Sequence, residues 1–191
     1  GVIPQISIIM GPCAGGDVYS PALTDFVFMV RDTSYMFVTG PDVVKTVTNE
    51  EVTAEQLGGA EIHTSVSSVA DGAYENDLEM MEQMRELIGF LPSSNIEKSP
   101  IRVTSDPISR SEISLDTLVP DNSNTPYDIK ELIFKVTDEG KFFEIQEKFA
   151  QNIVTGFGRF DGHTVGLVGN QPLHLAGVLD SDASRKAARF V

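Results

Sequence analysis

A proline-rich stretch in the middle of the chain sets the strongest limit on its fold. Residues 92–126 hold five of the ten prolines, set among Ser, Asn and Asp. Proline cannot donate a backbone hydrogen bond and disrupts helix interiors and central strands, so this stretch predicts a linker or an extended arm. The chain is therefore expected to have a first segment at residues 1–91, a linker at 92–126 and a second segment at 127–191.

The first segment alternates strand and helix signals. Three apolar runs have the length and composition of buried strands: residues 5–10, 26–30 and 35–38. A helix over residues 18–25 is predicted between the first two runs, after a glycine turn. This alternation favours an α/β layer arrangement.

Two more helices have clear start signals. Pro41 follows Gly40 and predicts a helix start, since an early helical position does not need the N–H that proline lacks. Thr53 and Gln56 have the spacing of a capping box, and the glycine pair at residues 58–59 predicts the end of that short helix.

The helix with the most regular pattern is predicted over residues 75–91. Its apolar residues recur every three or four positions and are expected to form one buried stripe: Leu78, Met81, Met84, Ile88 and Leu91. The methionines are interpreted as core residues and not as a ligand surface.

The second segment begins near Tyr127. Asp128 resembles a helix cap, and the buried stripe of that helix is expected to contain Ile129, Leu132, Ile133 and Val136. Residues 142–145 predict a strand. Asp161 and Gly162 predict a hairpin turn between strands at 152–160 and 164–169. Asp180 and Asp182 precede a last helix, where they fit caps.

Composition excludes several classes of function. The net charge of −14 and pI near 4.5 argue against a nucleic-acid partner, which would need a basic surface. No apolar run approaches the roughly 20 residues of a membrane span. The single cysteine, Cys13, is either a free thiol or a buried small hydrophobe, and it fits a reducing, intracellular compartment. Both chain ends resemble the interior of a longer protein, so a fragment is expected.

The local feature with the most chemistry is the turn GPCAGG at residues 11–16. A glycine pair at a helix start leaves backbone N–H groups uncovered, and these suit a carboxylate, a phosphate or a developing oxyanion. The alternative is a tight strand-to-helix connection without a ligand. The turn matches neither the phosphate-loop pattern nor the dinucleotide fingerprint.

The other reactive residues give weaker signals. No feature supplies Cys13 with a base, and His63, His163 and His174 have no metal-ligand spacing, so no metal is expected. His163 is expected to face solvent at the hairpin. The pairs Asp71/Glu75 and Glu79/Glu82 are interpreted as helix-entry and solvated-face charges. A reaction run mainly by backbone donors fits this pattern.

Several stretches resemble the carboxyltransferase (beta) subunits of the propionyl-CoA carboxylase and acyl-CoA carboxylase family. They are residues 3–6 (IPQI), 11–16 (GPCAGG), 19–26 (YSPALTDF), 38–45 (VTGPDVVK), 55–60 (EQLGGA), 142–145 (FFEI), 168–172 (VGNQP) and 184–190 (SRKAARF). The likeness extends over essentially the whole chain. Transcarboxylase and methylmalonyl-CoA decarboxylase relatives share much of it.

The resemblance implies an α/β fold of two crotonase-like domains (the ClpP/crotonase superfamily). Residues 1–91 would be the later part of the N-terminal domain and residues 127–191 the start of the C-terminal domain. It also implies a reaction in which an enolate of propionyl-CoA takes a carboxyl group from carboxybiotin, with the ureido nitrogen of biotin as the proton acceptor.

The family's backbone donor pair maps onto Gly15 and Gly16, which would form an oxyanion hole. Ala14 and Tyr19 would be substrate-binding neighbours. The resemblance leaves open whether the pair holds the thioester oxygen or the biotin ureido oxygen, and a second pair would lie beyond Val191. Asp17 departs from the small apolar residue usual there, and its carboxylate is expected to face away from the acyl group.

The implied partners are a biotin carboxylase and biotin carrier subunit, an acyl-CoA and further copies of the chain, most simply a hexamer. The partner subunit would use ATP and bicarbonate, and biotin would sit on a separate carrier domain. The expected location is the bacterial cytoplasm or the mitochondrial matrix. Two alternatives stay open: a transcarboxylase or decarboxylase subunit, and a fragment that only binds CoA or partner subunits.

Overall fold

The computed structural model describes residues 1–122 and 124–191. They divide into two compact units, residues 1–86 and residues 87–191. No helix within these described residues is both long and apolar enough to cross a membrane.

The first unit is built on parallel strands. Strands β1 (Ile6–Ile9), β3 (Phe26–Val30) and β5 (Gly72–Tyr74) form one sheet in the order β1-β3-β5, and β2 (Pro12–Ala14) pairs with β4 (Tyr35–Phe37). The three predicted strands are confirmed as β1, β3 and β4. Residues 27–30 of β3 are buried, as expected for a central strand. Strands β2 and β5 were not predicted.

The first helix is shorter than predicted. A 3₁₀ turn over Gly15–Val18 leads into α1 (Tyr19–Ala22), and the helix ends there instead of reaching Asp25. The hydroxyl of Thr24 donates to the Pro21 carbonyl over 2.8 Å, so a side chain takes an oxygen that a longer helix would use.

Two further helices of this unit begin at the residues that the sequence predicted. Helix α2 (Pro41–Thr48) starts at Pro41, and α3 (Ala54–Gly58) has the complete capping box of Thr53 and Gln56. Helix α4 (Ala60–Ser65) follows directly and was not predicted. Gly59 joins the two helices in an extended conformation.

The buried stripe predicted for the long helix is confirmed at Met84 and wrong at Leu78, Met81 and Ile88. Helix α5 (Asp77–Ile88) buries Met80, Met84 and Leu87, whereas Leu78 is 79% exposed and Ile88 58% exposed. Met81 is also exposed. Both sets of residues recur at helical spacing, so periodicity alone could not decide which set faces the core.

Asp71 also corrects an expectation, because it does not stand at a helix start but directly precedes strand β5. It is 3% exposed, and its carboxylate accepts a hydrogen bond from the Val27 N–H over 2.9 Å. The Asp71 N–H donates in turn to the Val27 carbonyl over 2.7 Å. A buried carboxylate with such partners supports the sheet.

The second unit contains an antiparallel sheet. Helix α6 (Ile129–Val136) is capped by Asp128 and precedes β6 (Phe142–Ile145), β7 (Ile153–Phe160) and β8 (His163–Asn170), in the order β6-β7-β8. Helix α7 (Ser181–Phe190) follows, with Asp180 accepting from the Ala183 N–H. These elements confirm the predicted strands and the caps at Asp128 and Asp180, and Ile133 is the most buried residue of the α6 stripe. The prediction for Asp182 is wrong, because it lies inside α7 and pairs with Arg185 over 3.1 Å.

The predicted hairpin turn is confirmed, and a buried carboxylate supports it. Asp161 and Gly162 both have positive φ, 51° and 76°, as a type I′ turn requires. The carboxylate of Asp138 accepts from both of their N–H groups, over 3.1 Å and 2.7 Å. His163 is exposed next to this turn.

Polar contacts join residues 92–126 to the hairpin and to the end of α6. The Arg102 N–H donates to the Gly162 carbonyl over 3.0 Å, and the Glu139 N–H donates to the Asp106 carboxylate over 2.8 Å. Arg110 donates to the Thr137 carbonyl over 3.1 Å. Apart from a 3₁₀ turn at Ile113–Thr117, the described part of this stretch has no helix or strand.

A buried lysine ties α7 to the loop before β7. Lys186 is 2% exposed, and its ammonium donates to the carbonyls of Phe149 and Ile153, each over 2.8 Å. Burial lowers the pKa of Lys186 to about 8, and the charge of Glu144 only partly opposes this shift. The unfolded chain holds the same proton with the ordinary lysine pKa of about 10.4.

This shift predicts a stability that increases with pH. Below about pH 8 both states are protonated and the folded state carries the full burial cost. Above it the folded state releases the proton first, so the free energy of unfolding of the second unit rises toward pH 10, by at most about 1.4 kcal/mol per pH unit. Pulse proteolysis in urea, repeated at each pH, measures this free energy of unfolding.

The control for this prediction is a lysine at the surface. A Lys186→Met variant should lose the rise, whereas Lys141→Met, at an exposed position, should keep it. An equal rise in Lys186→Met and in the unchanged protein would contradict the assignment.

Candidate active site

The candidate site begins where β2 ends. Strand β2 pairs in parallel with β4, with Cys13 opposite Met36 and Ala14 opposite Phe37. The chain then turns at Gly15, whose φ of 68° lies in the left-handed region that glycine adopts without a steric cost. This turn sends the backbone directly into the 3₁₀ turn.

The geometry leaves backbone donors and open space at the turn. The first N–H groups of a helix have no acceptor within that helix, and Gly15 and Gly16 occupy these positions. A Cβ added at either glycine would meet nothing within 4 Å. At Gly58, in contrast, a Cβ would lie 2.1 Å from the Met36 carbonyl oxygen. Neither packing within the chain nor a positive φ requires glycine at Gly16.

The predicted site residues lie together on the surface because they are neighbours in sequence. Ala14 and Gly16 are exposed, Gly15 is half-buried, and Tyr19 is 57% exposed. Their arrangement can hold one oxygen atom that gains negative charge, with backbone donors in place of a charged side chain.

Cys13 lies beneath the turn and has the environment of an inert thiol. It is half-buried against the core cluster that includes Val18, Val27 and Met36. Its Sγ donates to the Asp17 carbonyl over 3.6 Å. Burial, and then the Asp17 carboxylate, raise the pKa of the thiol, which disfavours the nucleophilic thiolate.

Asp17 does not occupy the glycine donors. Its side chain is exposed, and within the described residues no hydrogen bond joins its carboxylate to the N–H of Gly15 or Gly16. The N–H groups of Gly15 and Gly16 are therefore not blocked by the Asp17 side chain. Among the described residues, no group of three His, Cys, Asp or Glu side chains could hold a metal ion.

The residues that the sequence did not reveal are those that support β4. The His63 ring is 2.7 Å from the Met36 carbonyl oxygen, and Gly58 packs against the same carbonyl. Position 63 lies 27 residues after Met36, so sequence spacing gave no signal for this contact. The glycine pair at residues 58–59 was predicted only to end a helix, not to contact β4.

Two known proteins match this chain over its whole length. The propionyl-CoA carboxylase beta chain of Roseobacter denitrificans is 70% identical over all 191 residues, which are 38% of its length. The methylmalonyl-CoA decarboxylase subunit alpha of Veillonella parvula is 58% identical over the whole chain and 38% of its own length. The chain therefore spans well under half the length of these relatives.

A solved structure gives the same result for the fold. Transcarboxylase 12S, a hexamer solved with hydrolysed methylmalonyl-coenzyme A bound, matches with a TM-score of 0.95 and 43% identity, covering 99% of this chain and 37% of that one. The family described as "Carboxyl transferase domain" matches residues 1–191. The chain thus belongs to the carboxyl transferase domain family and has the α/β, crotonase-like fold of its carboxyltransferases.

Proposed function

We propose that the full-length protein is the carboxyltransferase component of a biotin-dependent acyl-CoA carboxylase. It would move a carboxyl group from carboxybiotin to the α-carbon of propionyl-CoA and so form methylmalonyl-CoA. The observation that carries this proposal is the 70% identity to a propionyl-CoA carboxylase beta chain over every residue of the chain.

Gly15 and Gly16 are the proposed catalytic residues, acting through their backbone N–H groups. The open space beside them fits a ligand oxygen, either the thioester oxygen of the acyl-CoA or the ureido oxygen of biotin. Each of these oxygens gains negative charge as the reaction proceeds, so donors fixed in advance stabilise the transition state. Ala14 and Tyr19 are the proposed substrate-binding neighbours. Asp17 is proposed to face away from the acyl group.

Carboxybiotin supplies an activated carboxyl group when its carrier domain is bound. The α-carbon of the acyl-CoA would form the new carbon–carbon bond, the bond from the carboxyl carbon to the ureido nitrogen would break, and that nitrogen would take the α-proton. This route needs no side-chain base, which agrees with the protonated Cys13 and with a turn that offers only backbone donors.

The proposed assembly has a biotin carboxylase partner that uses ATP and bicarbonate, and a biotin carrier domain that moves between the two active sites. Six copies of the full-length protein would form the core, as in transcarboxylase 12S. Residues 1–91 and 127–191 would belong to its two crotonase-like domains, joined by 92–126, in the bacterial cytoplasm or the mitochondrial matrix.

A second candidate function uses the same biotin chemistry. The decarboxylase subunit of Veillonella parvula is 58% identical, and transcarboxylase 12S has nearly the same backbone. The full-length protein could thus move the carboxyl group from methylmalonyl-CoA to biotin. The isolated 191 residues, being 38% of the length of such relatives, would bind a ligand or partner at most.

The direct test is a carboxylation assay with the full-length protein. With its biotinylated partner, ATP and labelled bicarbonate, it should convert propionyl-CoA into labelled methylmalonyl-CoA. Label loss from methylmalonyl-CoA without ATP, together with no carboxylation, would favour the decarboxylase. If biotin is carboxylated and no short acyl-CoA accepts the label, the proposal fails.

The glycine turn gives a sharper prediction. A Gly16→Val change in the full-length protein should lower kcat at least about tenfold, because the valine side chain would fill the open space beside the Gly16 N–H and keep the reacting oxygen away from a donor worth about 10²–10³ in kcat. A Cβ at Gly16 would meet nothing within 4 Å in this chain, so its fold should be kept.

The matched control is Gly40→Val. Gly40 also has a negative φ, and its added Cβ would meet only Phe37, at the ordinary distance of 3.6 Å. Its kcat should stay close to that of the unchanged protein. Equal rates in Gly16→Val and Gly40→Val would remove the oxyanion role.

A further inference from the structure

Among the described residues, strand β4 has a sheet partner on one side only. It pairs with β2 over three residues, and a two-stranded sheet this short is marginal without further support. Its other side faces the corner between α3 and α4, where Tyr35 forms an isolated bridge with Gly59. That corner is therefore the external support of the β2–β4 pair.

The carbonyl of Met36 is the centre of this support. The Gly58 backbone packs so closely on it that a Cβ at Gly58 would lie 2.1 Å from the oxygen. His63, in α4, is 2.7 Å from the same oxygen through Nε2. One strand carbonyl is thus enclosed by a glycine and an imidazole.

The hydrogen-bond partners define the protonation of the ring. A carbonyl oxygen can only accept, so Nε2 of His63 carries a proton and donates it to Met36. On the other side of the ring, Nδ1 lies 2.8 Å from the Ser67 hydroxyl. In the neutral ring that hydroxyl donates to Nδ1, which fixes the tautomer that the Met36 contact needs.

We propose that His63 is a positioning residue for the glycine turn. By holding Met36 in β4 it holds Cys13, which lies opposite Met36 in β2, and so sets the direction in which Gly15 and Gly16 present their N–H groups. The proposal rests on the proposed function of these donors. Met36 is 2% exposed and Cys13 packs on the same core cluster, so a shift of one strand is transmitted to the other.

Small shifts are sufficient for a large effect. A displacement of about 1 Å caused by a change away from the reacting atoms can cost on the order of 10²-fold in rate. Loss of the His63 contact is therefore expected to lower kcat about 10- to 100-fold. Binding made equally in the ground state is kept, so KM for the acyl-CoA should change little.

The experiment uses the full-length protein assembled with its biotinylated partner. Three variants are compared with the unchanged protein: His63→Leu, which removes the donor; His63→Gln, whose amide can still donate to Met36; and His163→Leu, the same change at an exposed position of β8. Carboxylation rates are combined with hydrogen exchange of residues 12–18 and 35–37.

The expected result is a selective loss. His63→Leu should lower kcat about 10- to 100-fold and speed exchange in those two segments, with thermal unfolding and oligomeric state close to normal. His63→Gln should recover most of the rate, and His163→Leu should match the unchanged protein. Normal kcat and exchange in His63→Leu would overturn the proposal, as would faster exchange throughout the protein.

Two precautions keep the result interpretable. If His63→Leu does not assemble, Ser67→Ala serves instead. This change, at an exposed position, removes the hydroxyl that fixes the ring tautomer. It should lower kcat and speed hydrogen exchange in residues 35–37. Unchanged kcat and exchange in Ser67→Ala would then count against His63. If the unchanged protein does not carboxylate any acyl-CoA, the proposed function fails, and the exchange data still decide whether His63 positions the turn.

Discussion

The three-residue pairing of β2 with β4 is the contact on which the candidate site depends. It ends at Ala14 and Phe37, and the chain leaves β2 through the left-handed Gly15 into the 3₁₀ turn. So short a ladder holds its register only because both strands are supported from outside. Met36 is buried in the core on one side, and the α3–α4 corner closes on its carbonyl. We therefore propose that residues outside the ligand site position the backbone N–H groups of Gly15 and Gly16.

The second unit relies on charged groups that are buried and hydrogen-bonded. Lys186 donates to the carbonyls of Phe149 and of Ile153 at the start of β7, and the carboxylate of Asp138 accepts from two N–H groups of the hairpin turn. Each arrangement replaces water with fixed partners, which is what makes burial of a charge tolerable. The cost that remains at Lys186 appears as a pKa well below that of a free lysine.

Local signals predicted much of the fold. The helix-start residues Pro41, Thr53, Asp128 and Asp180 favour a helix through backbone groups a few positions away, and the hairpin turn needs only Asp161 and Gly162. Such short-range features can be predicted directly from the sequence. Failures came where distant contacts decide. Strand β2 is three residues inside a glycine turn, and the α5 stripe had an equally periodic competitor.

The sequence alone indicated only part of the candidate site. Glycine spacing marked Gly15 and Gly16 but could not separate a ligand site from a tight connection. The resemblance, and then the open space beside both glycines, favour the ligand site. The sequence did not predict that His63 and Asp71 support strands, because their partners, Met36 and Val27, lie 27 and 44 residues away.

The central claim is that Gly15 and Gly16 hold a reacting oxygen through their N–H groups. A high-resolution structure of the full-length protein with an acyl-CoA and a biotinylated carrier measures this directly. We expect a thioester or ureido oxygen within about 3.2 Å of both backbone nitrogens. An active site filled by both ligands, with these two nitrogens bonded only to water or protein, would contradict it.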